Sequence, residues 1–395
     1  METMISVERA KALLEAHVSP SNPILLPLYE VNGLVLATDI VAPINIPSFP
    51  QSNMDGYAFA YDEHQSSYPL SGEIAAGDKE NAILAAHHAV RIFTGAAVPI
   101  GADTVAMQEK VSVAEGKLNL LDPTIKKGDH VRPVGAEIRF GEIALKKGTL
   151  LNPAAIGFIA SLGIDQVFVY PAPRVGILVT GNELQKPGNS LHHGEVYESN
   201  SFTLVAALQS LGIRDVKILQ AEDQLDQISF SLQQLLEEFD FILMTGGVSV
   251  GDYDFTLPAF EACGVNAIFH KIKQKPGKPL LFGTKGHKIV FGLPGNPASV
   301  LTCFYEYVLP AIGYFSERNR CLKSLWVPLS HEYKKSVGLT HFLKAIYNGE
   351  TVSLQSGQES FKLSSYAMAN CLVVLPEASE AFHVGDLVEI HLLED

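Results

Sequence analysis

The sequence predicts a multidomain α/β protein, in which a central, mostly parallel sheet lies between a β-rich lobe and a small C-terminal β domain. Two observations carry this prediction. The 395 residues exceed the size at which one hydrophobic core stops growing, so two to four domains are expected. From residue 174 to residue 245, apolar strand patterns alternate with helical patterns, as in a parallel sheet with helices on both faces.

The residues before this alternation predict a split N-terminal domain and a β-rich lobe. Apolar residues at helical spacing predict a helix over 6–15, and short extended segments follow to Pro43 and Pro47. Short β-like runs separated by Gly, Pro and Asp turns predict a mostly β lobe over 46–136, with strands at 57–61, 89–94, 104–107 and 117–121. A further helix is expected at 153–162.

The central domain begins after Pro171-Ala172-Pro173, because two prolines in three residues interrupt both a helix and a central strand. Strands are expected at 174–180, 216–220 and 241–245, and helices at 200–211 and 225–238. After Trp326, β-like runs at 342–347, 371–375 and 387–392 predict a small barrel or sandwich. The predicted domains are therefore 1–45 with 137–172, then 46–136, 173–325 and 326–395.

Composition excludes several classes of function. The net charge of −14 and a pI near 5.4 disfavour non-specific binding of nucleic acid, which needs a basic face. Four widely spaced cysteines without a C-x-x-C pair indicate neither a zinc ribbon nor a disulfide framework. No apolar run approaches the roughly 20 residues that a membrane span needs. A soluble, cytoplasmic protein is expected.

One segment departs from this acidic character. Between Ala262 and Tyr305 the chain has no Asp or Glu but carries six lysines, which are Lys271, Lys273, Lys275, Lys278, Lys285 and Lys288. Alternating lysines are often the solvated face of a strand, and that alternative stays open. However, the rigid turn at 275–279 and the loop at 292–299, which opens a predicted helix with free backbone N–H groups, favour a pocket for phosphate or an oxoanion.

Three Thr-Gly pairs and one Asp-Gly pair mark turns that could carry chemistry. Thr180-Gly181 and Thr245-Gly246 follow apolar strands of the central domain, and Thr94-Gly95 follows a strand of the lobe. Ligands of parallel sheets bind beyond the carboxyl ends of the strands, where such turns lie. Asp55-Gly56 places a carboxylate in a tight turn ahead of a β run, although each pair could be an ordinary turn.

With these residues in view, the chain resembles the molybdopterin molybdenumtransferase family, which includes the MoeA proteins and the gephyrin E domain. The resemblance covers nearly the whole length, and seven stretches occur in the family's order. They are 47–49 with 52–58, 94–99, 101–103 with Glu109, 180–184, 246–251 with Asp254, 275–279, and 292–299.

The resemblance implies a late step of molybdenum cofactor synthesis, in which molybdate is inserted into the dithiolene of adenylylated molybdopterin and AMP is lost. It implies a central MogA-like α/β domain that binds molybdopterin, and a small C-terminal β-barrel. It also implies a homodimer with sites formed at the subunit interface, and a MogA-type adenylyltransferase as a partner. Mg²⁺ is the implied cofactor, because cleavage of a phosphoanhydride develops negative charge that a divalent cation neutralises.

The resemblance also implies site residues at matching positions. The expected catalytic residues are Asp55, Thr94, Glu183 and Asp254, and the three carboxylates among them are the expected Mg²⁺ ligands. The expected substrate contacts are Lys275 and Lys278, less surely Lys271, together with Gly247, Ser249, Pro294, Pro297 and Arg132. Alternatively, one of the acids could serve only as a structural partner of Lys275.

Two positions depart from the family pattern. After Arg132, Glu137 stands where the family has Asp, one methylene longer. In the C-terminal domain, Leu339 occupies the place of a family arginine, which puts an anion contact in doubt. Lys344 and His341 follow closely and are candidates to replace that contact.

Two other functions remain open at this stage. The central domain could adenylylate molybdopterin from ATP, as the related MogA-like domain does. Alternatively, the chain could be a scaffold that keeps the fold and binds a protein partner, since fold alone does not settle function. A scaffold has no need of the lysines and carboxylates together, which favours an enzyme.

Overall fold

The computed structural model of the chain describes residues 1–78, 82–246, 255–319 and 321–393. It divides into two compact units. The first unit contains Met1–Leu25, Gly33–Ala37 and Phe168–Asp395, and the second contains Leu26–Asn32 and Thr38–Val167.

Up to residue 170 the elements are mostly short strands. In chain order they are β1 (Glu2–Ile5), α1 (Val7–His17), β2 (Ile24–Pro27), a 3₁₀ turn (Leu28–Glu30), β3 (Val35–Leu36), β4 (Ile40–Val41), β5 (Gln51–Ser52), β6 (Gly56–Phe59), β7 (Ser67–Ile74), β8 (Ala89–Ile92), β9 (Thr104–Met107), a 3₁₀ turn (Gln108–Lys110), β10 (Val111–Ala114), β11 (Lys117–Leu120), β12 (Val131–Arg132), β13 (Ile143–Leu145), α2 (Pro153–Ser161) and β14 (Gln166–Tyr170).

From residue 175 onward, strands and helices alternate before a final run of strands. They are β15 (Val175–Thr180), β16 (Leu184–Gln185), β17 (Val196–Tyr197), α3 (Asn200–Ser210), β18 (Val216–Ala221), α4 (Leu225–Glu238), β19 (Phe241–Thr245), α5 (Thr256–Ala262), β20 (Asn266–Ile272), β21 (Gln274–Lys275), β22 (Leu281–Lys285), β23 (Lys288–Leu293), α6 (Pro297–Cys303), a π-helix (Phe304–Val308), α7 (Leu309–Phe315), β24 (Ser324–Pro328), β25 (Tyr333–Lys334), β26 (Thr340–Tyr347), β27 (Val352–Leu354), β28 (Cys371–Leu375), β29 (Ala381–Phe382) and β30 (Leu387–Leu392).

The first unit is built on a seven-stranded sheet in the order β1-β20-β22-β23-β19-β15-β18. Four of its six neighbouring pairs are parallel, and the antiparallel strand β22 accounts for the other two. The prediction of a mostly parallel central sheet is therefore confirmed. The hairpin of β22 and β23 and the edge strand β1 were not predicted.

Helices cover both faces of this sheet, as the alternating pattern predicts. The odd-numbered residues of β15, such as Ile177, pack with α1, α3, α6 and α7, while Leu178 packs with α4 and α5. On α4, the residues Ile228, Leu232 and Leu235 recur at helical spacing and are buried. Each such side chain contributes roughly 1.5–3 kcal/mol when it is fully buried.

The last strands of the first unit form a second sheet in the order β21-β26-β28-β30-β24, with β27 on β26. Its apolar residues, including Leu343, Val373 and Ile390, form a separate core. Strand β21 belongs to the lysine-rich segment and pairs in parallel with β26, so that Lys275 lies opposite His341. This pairing connects the lysine segment with the C-terminal sheet.

The second unit is β-rich, in agreement with the sequence. Its main sheet has the order β10-β11-β7-β8-β6-β9, and its core lies around Phe59, Tyr68, Val90 and Ile92. Strand β5 pairs with β12, which places Ser52 opposite Val131. Among the described residues, no helix is both long enough and apolar enough to cross a membrane.

Candidate functional site

A cavity of about 850 Å³ lies in the first unit at the carboxyl ends of two parallel strands. Glu183 follows β15 and Pro294 follows β23, and both line it. The remaining lining residues come from 184–200, 274–279, 295–299, Leu339 and 358–361. This is the edge of the sheet at which the sequence predicts a ligand.

The turn of Lys275 and Lys278 forms one wall of the cavity. Both lysines are exposed and line it. Gln274, just before Lys275, and Gly277, between the two lysines, are buried. Neither ammonium group forms an ion pair with the residues that the structure describes. Two ammonium groups without ion-pair partners among the described residues therefore line this part of the concave surface, and a local pair of positive charges favours an anionic ligand there.

The other lysines of the acid-free stretch differ from these two. Lys273 lies 3.8 Å from Glu377, Lys285 donates to Gln233, and Lys288 donates to the Phe239 carbonyl. Lys271 has a left-handed backbone (φ 69°) and is not among the residues that line the cavity. The solvated-strand alternative thus describes part of the stretch, and the pocket prediction applies to Lys275 and Lys278.

The helix that follows the loop at 292–299 does not offer the free N–H groups expected from the sequence. Helix α6 begins at Pro297, which has no N–H, and the Ala298 N–H donates to the Ser360 carbonyl at 3.1 Å. The N–H groups of Ser299 and Val300 donate to the Asn296 carbonyl. The prediction of an anion site on these helical N–H groups is wrong, because local bonds and a C-terminal loop already occupy them.

That loop, residues 357–362, was not predicted to reach the site. Gln358, Ser360 and Phe361 line the cavity, and the Asn296 side chain donates to the Ser360 hydroxyl at 2.9 Å. Asn296 and Ser360 are distant in the sequence, so their contact could not be predicted from a local pattern. The only local signal of a functional loop is the short polar run at 355–360. The Ser360 hydroxyl and the Gln358 amide of this loop therefore line the same cavity as Lys275 and Lys278.

Lys344 does not replace the arginine that is missing at Leu339. Its side chain is 2% exposed, and its ammonium donates to the carbonyls of Gly357, Lys362 and Glu359 at 2.8, 3.0 and 3.3 Å. Burial lowers the pKa of this ammonium, and the three carbonyl oxygens occupy its donors. Lys344 holds the loop in place and is not free to bind a ligand.

His341 does not replace it either. The residue is 7% exposed, and its Nδ1 is buried without a hydrogen-bond partner among the described residues. Burial, assisted by the positive charges of Lys335 and Lys275, lowers the pKa of His341 to about 4. The imidazole is therefore neutral near pH 7 and supplies no charge for an anion.

The opposite wall of the cavity is polar and partly acidic. Glu198 accepts hydrogen bonds from the Ser201 N–H and hydroxyl at 2.7 and 2.6 Å, and thereby begins α3. Asn200 donates to the Gly295 carbonyl at 2.9 Å, while its buried Oδ1 has no partner among the described residues. Neither residue was singled out from the sequence. Glu183 is exposed beside them.

Asp223 is a further carboxylate at the same edge of the sheet. It follows β18, and it exchanges two hydrogen bonds with Asn182, the neighbour of Glu183, at 3.1 and 3.3 Å. Asp223 was not predicted, although the acidic pair Glu222-Asp223 just after a parallel strand is the signal that could have identified it.

In the second unit, Asp55 and Thr94, which the resemblance places in one site, are in direct contact. One carboxylate oxygen, Oδ1, accepts hydrogen bonds from the Thr94 N–H and hydroxyl, both at 2.7 Å. These bonds, with a smaller contribution from Arg91, lower the pKa of Asp55. The exposed carboxylate is therefore ionised over a wide pH range, and an ionised oxygen ligand suits Mg²⁺.

Arg132 lies on β12 in the same unit. Its guanidinium donates to the side chains of Gln51 and Asn53, just before Asp55 in the chain. Glu137, the longer acid, lies in a turn where its N–H donates to the Ile46 carbonyl.

Part of the predicted site lies beyond what can be described. Gly247, Ser249 and Asp254 fall in 247–254, outside the described residues. Asp55 lies in the second unit and Glu183 in the first. Within the described residues, no group of three His, Cys, Asp or Glu side chains could hold a metal ion, so the Mg²⁺ ligands remain a prediction.

The fold and the site define a class of protein, namely a multidomain α/β protein with a cavity lined by two lysines at the carboxyl ends of its central strands. Three family descriptions match the chain. They are the MoeA N-terminal region (domain I and II) over residues 5–163, a probable molybdopterin binding domain over 176–314, and the MoeA C-terminal region (domain IV) over 327–393.

Individual proteins agree with these matches. A molybdopterin molybdenumtransferase of Haemophilus influenzae is 34% identical, with 99% of this chain and 100% of the relative covered. One from Staphylococcus aureus is 32% identical, with coverage of 91% and 88%. A crystal structure titled as a molybdopterin biosynthesis MoeA protein from Pyrococcus horikoshii has a TM-score of 0.84 at 28% identity, covering 99% of this chain and 100% of that one. The chain belongs to the MoeA family.

Proposed function

We propose that the protein is a molybdopterin molybdenumtransferase, which inserts molybdate into adenylylated molybdopterin and releases AMP. The observation that carries the proposal is the cavity into which Lys275 and Lys278 project without ion-pair partners among the described residues. Membership of the MoeA family gives the chemical identity of the anions, and the names of the relatives agree with it.

The residues suit the assembly of two anions. Molybdate and the phosphoanhydride of the adenylate repel each other, and two fixed ammonium groups reduce that repulsion. The cavity volume of about 850 Å³ falls within the range of ligand pockets. Ser360, Asn200 and Gln358 supply neutral donors and acceptors around the lysines, which suits the polar groups of a pterin.

We propose Mg²⁺ as the cofactor and Asp55, Glu183 and Asp254 as its candidate ligands. Asp55 fits a hard cation because Thr94 keeps its carboxylate ionised through two bonds to Oδ1. When bound, the ion would neutralise the charge that develops on the phosphate as AMP leaves. The assignment of catalytic roles to Thr94, Glu183 and Asp254 is part of the same proposal.

The finer architecture is proposed on the same basis. The match to a probable molybdopterin binding domain supports a MogA-like central domain. An isolated bridge between Leu329, just after β24, and Val352 of β27 supports a small C-terminal barrel, since it joins the two ends of that sheet. The four-domain division, a homodimer, a MogA-type adenylyltransferase as partner and a cytoplasmic location belong to the same proposal.

The test is release of AMP. Purified protein is given adenylylated molybdopterin, Mg²⁺ and molybdate, and AMP is measured by chromatography. We expect Lys275→Ala and Lys278→Ala each to lower kcat/KM by about 100-fold, since each removes a charge-assisted contact worth roughly 1.5–3 kcal/mol. The matched control is Lys285→Ala, a lysine of the same stretch that donates to Gln233 outside the cavity.

Three outcomes would contradict the proposal. If the wild-type protein binds the adenylate but releases no AMP, molybdenum insertion is excluded. If the protein forms the adenylate from ATP and molybdopterin, the adenylyltransferase alternative is correct. A scaffold would be indicated if the lysine variants remain folded and still support full cofactor synthesis.

A further inference from the structure

A fully buried polar cluster lies directly behind the lysine turn. It consists of Gln274, Cys303 and Tyr307, which we call the Gln274 cluster. Gln274 is 1% exposed, and the other two side chains are inaccessible to solvent. Gln274 is the last residue before Lys275, while Cys303 ends α6 and Tyr307 lies in the π-helix. The cluster therefore joins the lysine turn to a helical segment that is distant in sequence.

The Gln274 amide bonds to the backbone of the turn. Its Nε2 donates to the carbonyls of Pro276 and Gly277 at 3.1 and 3.2 Å. Its Oε1 accepts a hydrogen bond from the Tyr307 hydroxyl. An amide NH₂ group has two hydrogens, and the two carbonyls are its closest acceptors, while Cys303 Sγ lies farther away at 3.7 Å.

The Tyr307 hydroxyl determines which end of the amide faces the turn. With Oε1 held by a donor, Nε2 must point toward the two carbonyls. Without that donor the amide could turn over, and its oxygen would then meet two carbonyl oxygens in a buried place, where unpaired acceptors are costly. One hydroxyl therefore fixes the polarity of the contact under the turn.

Close packing reinforces this contact. A Cβ atom built on Gly277, whose φ is +85°, would lie 2.5 Å from Cys303 Sγ and 2.8 Å from Gln274 Nε2. The Cys303 thiol also contacts the Gly277 carbonyl at 3.7 Å. The turn thus rests on the cluster without a gap, and Gln274 lies at the junction because it also borders the cavity that Lys275 and Lys278 line.

We propose that Gln274 and Tyr307 are positioning residues, which fix the spacing of the Lys275 and Lys278 ammonium groups for a tetrahedral oxoanion. This inference rests on the proposed function, because it assigns molybdate as the anion whose binding the spacing serves. Tyr307 does not line the cavity, and the Gln274 amide is buried and bonded to the turn, so neither residue is assigned a direct contact with the anion. They act by holding the backbone from which the two lysines extend, and a loss of about 1 Å in placement is costly in such a site.

The experiment uses the full chain and separates positioning from general stability. In Tyr307→Phe the ring stays and only the hydroxyl is lost, so the protein is expected to fold. We expect KM for molybdate to rise about tenfold while kcat changes less than twofold, since one hydrogen bond between neutral groups is at stake. Gln274→Met, of similar length and without donors, is expected to raise KM at least as much.

Tyr314→Phe is the matched control, because that tyrosine lies in the following helix and lines other cavities. Its KM for molybdate should stay at the wild-type value. A second readout is the coupling to Lys275. In a Lys275→Ala background, Tyr307→Phe should lose most of its effect on KM, because the hydroxyl acts through the lysine.

Two outcomes would overturn the inference. The first is an unchanged KM for molybdate in both Tyr307→Phe and Gln274→Met, with or without a loss of thermal stability. The second is full additivity of the effects of Tyr307→Phe and Lys275→Ala on KM. Direct calorimetric titration with molybdate alone distinguishes this failure from that of the proposed function. If the wild-type protein binds molybdate but releases no AMP, only the proposed function is contradicted. The positioning roles are then tested by the affinity of the variants for molybdate. Wild type that does neither contradicts both.

Discussion

The carboxylate of Glu306 accepts a hydrogen bond from His391 Nδ1 at 2.6 Å and so joins the π-helix to the last strand of the C-terminal sheet. Its other oxygen is 2.8 Å from the ammonium of Lys11 on α1. Glu306 itself is 2% exposed. Because the remaining ring nitrogen of His391 lies 3.4 Å from Glu389, both nitrogens face carboxylates, which favour the protonated imidazole.

We expect Glu306→Ala to lower the free energy of unfolding by about 3 kcal/mol, since removal of one partner leaves a buried charge without compensation. Urea denaturation followed by circular dichroism measures the change. Glu238→Ala is the control, because Glu238 makes an exposed pair with Lys217 and should cost less than about 1 kcal/mol. Equal costs for the two variants would show that the buried group is not essential to stability.

The pair of His391 and Glu306 also predicts a dependence of stability on pH. Burial lowers the pKa of His391, but hydrogen bonding and attraction to Glu306 raise it more, so the folded value lies above the ordinary one. The stabilisation is therefore complete below about pH 6.5 and is lost as the pH rises through the higher folded value. The difference in unfolding free energy between wild type and His391→Gln should shrink from pH 6 to pH 9.

The contribution of Glu306 to stability depends on pH in the opposite direction. Burial raises its pKa, but Lys11 and His391 lower it more, so its contribution is present above about pH 4.5 and is lost as the pH falls through the folded value. His383→Gln, which changes an exposed histidine, serves as the control for the substitution itself. A difference for His391→Gln that grows toward pH 9 would contradict the assignment.

Replacement of the buried ammonium of Lys344 tests the loop at the cavity. In Lys344→Met three carbonyl oxygens lose their donor, and we expect a loss of about 2–3 kcal/mol in stability with faster hydrogen exchange over 357–362. Lys362→Met removes an exposed lysine that pairs with Glu359 and should leave both measurements nearly unchanged. Unaltered exchange in Lys344→Met would show that other contacts hold the loop.

Leu339 lines the cavity in the place of a family arginine, and the structure supplies no substitute from Lys344 or His341. We therefore expect Leu339→Arg to tighten binding of molybdate several-fold at low salt, with the gain reduced at high ionic strength. Calorimetry at two salt concentrations measures it, and Leu339→Met controls for the change in side-chain shape. Weaker binding in the arginine variant would mean that this position does not face the anion.

Asp55→Asn removes the negative charge of this side chain in the second unit. The amide still has an oxygen that can accept the two hydrogen bonds from Thr94. We expect at least a 100-fold loss of AMP release with the fold intact, because the amide is a poor ligand for Mg²⁺. Asp122→Asn is a close control, since Asp122 also accepts from the N–H and hydroxyl of a threonine, Thr124, in the same unit. If both variants retain activity, Asp55 has no role in metal binding.

Local patterns predicted much of the fold. The strands 241–245, 371–375 and 387–392 and the helix 225–238 agree with the structure to the residue, because each is an apolar run or an amphipathic period of sufficient length. Strand β1 could not be predicted in this way. Its four residues include Glu2 and Thr3, and only pairing with β20, far along the chain, makes them a strand.

The site was predictable where a residue's role is local and not where it depends on distant partners. The Lys275 and Lys278 turn carries Gly and Pro signals in the sequence, whereas the contact of Asp55 with Thr94 spans 39 residues, and only the resemblance places the two residues in one site. The burial of Lys344 carries none, because lysine is almost always exposed and only three carbonyls from a distant loop make its burial possible. The same holds for Gln274 and Tyr307, whose contact spans 33 residues.

The pairing of β1 with β20 has a consequence for handling the protein. In the described part of the central sheet, β1 is the outermost strand on that side, and its Ile5 carbonyl accepts from the Lys273 N–H. Deletion of residues 1–5 would leave β20, with Phe269 and Ile272 in it, as an unpaired edge open to strands of other molecules. A preparation shortened at this end is therefore expected to aggregate, and affinity tags are better attached elsewhere.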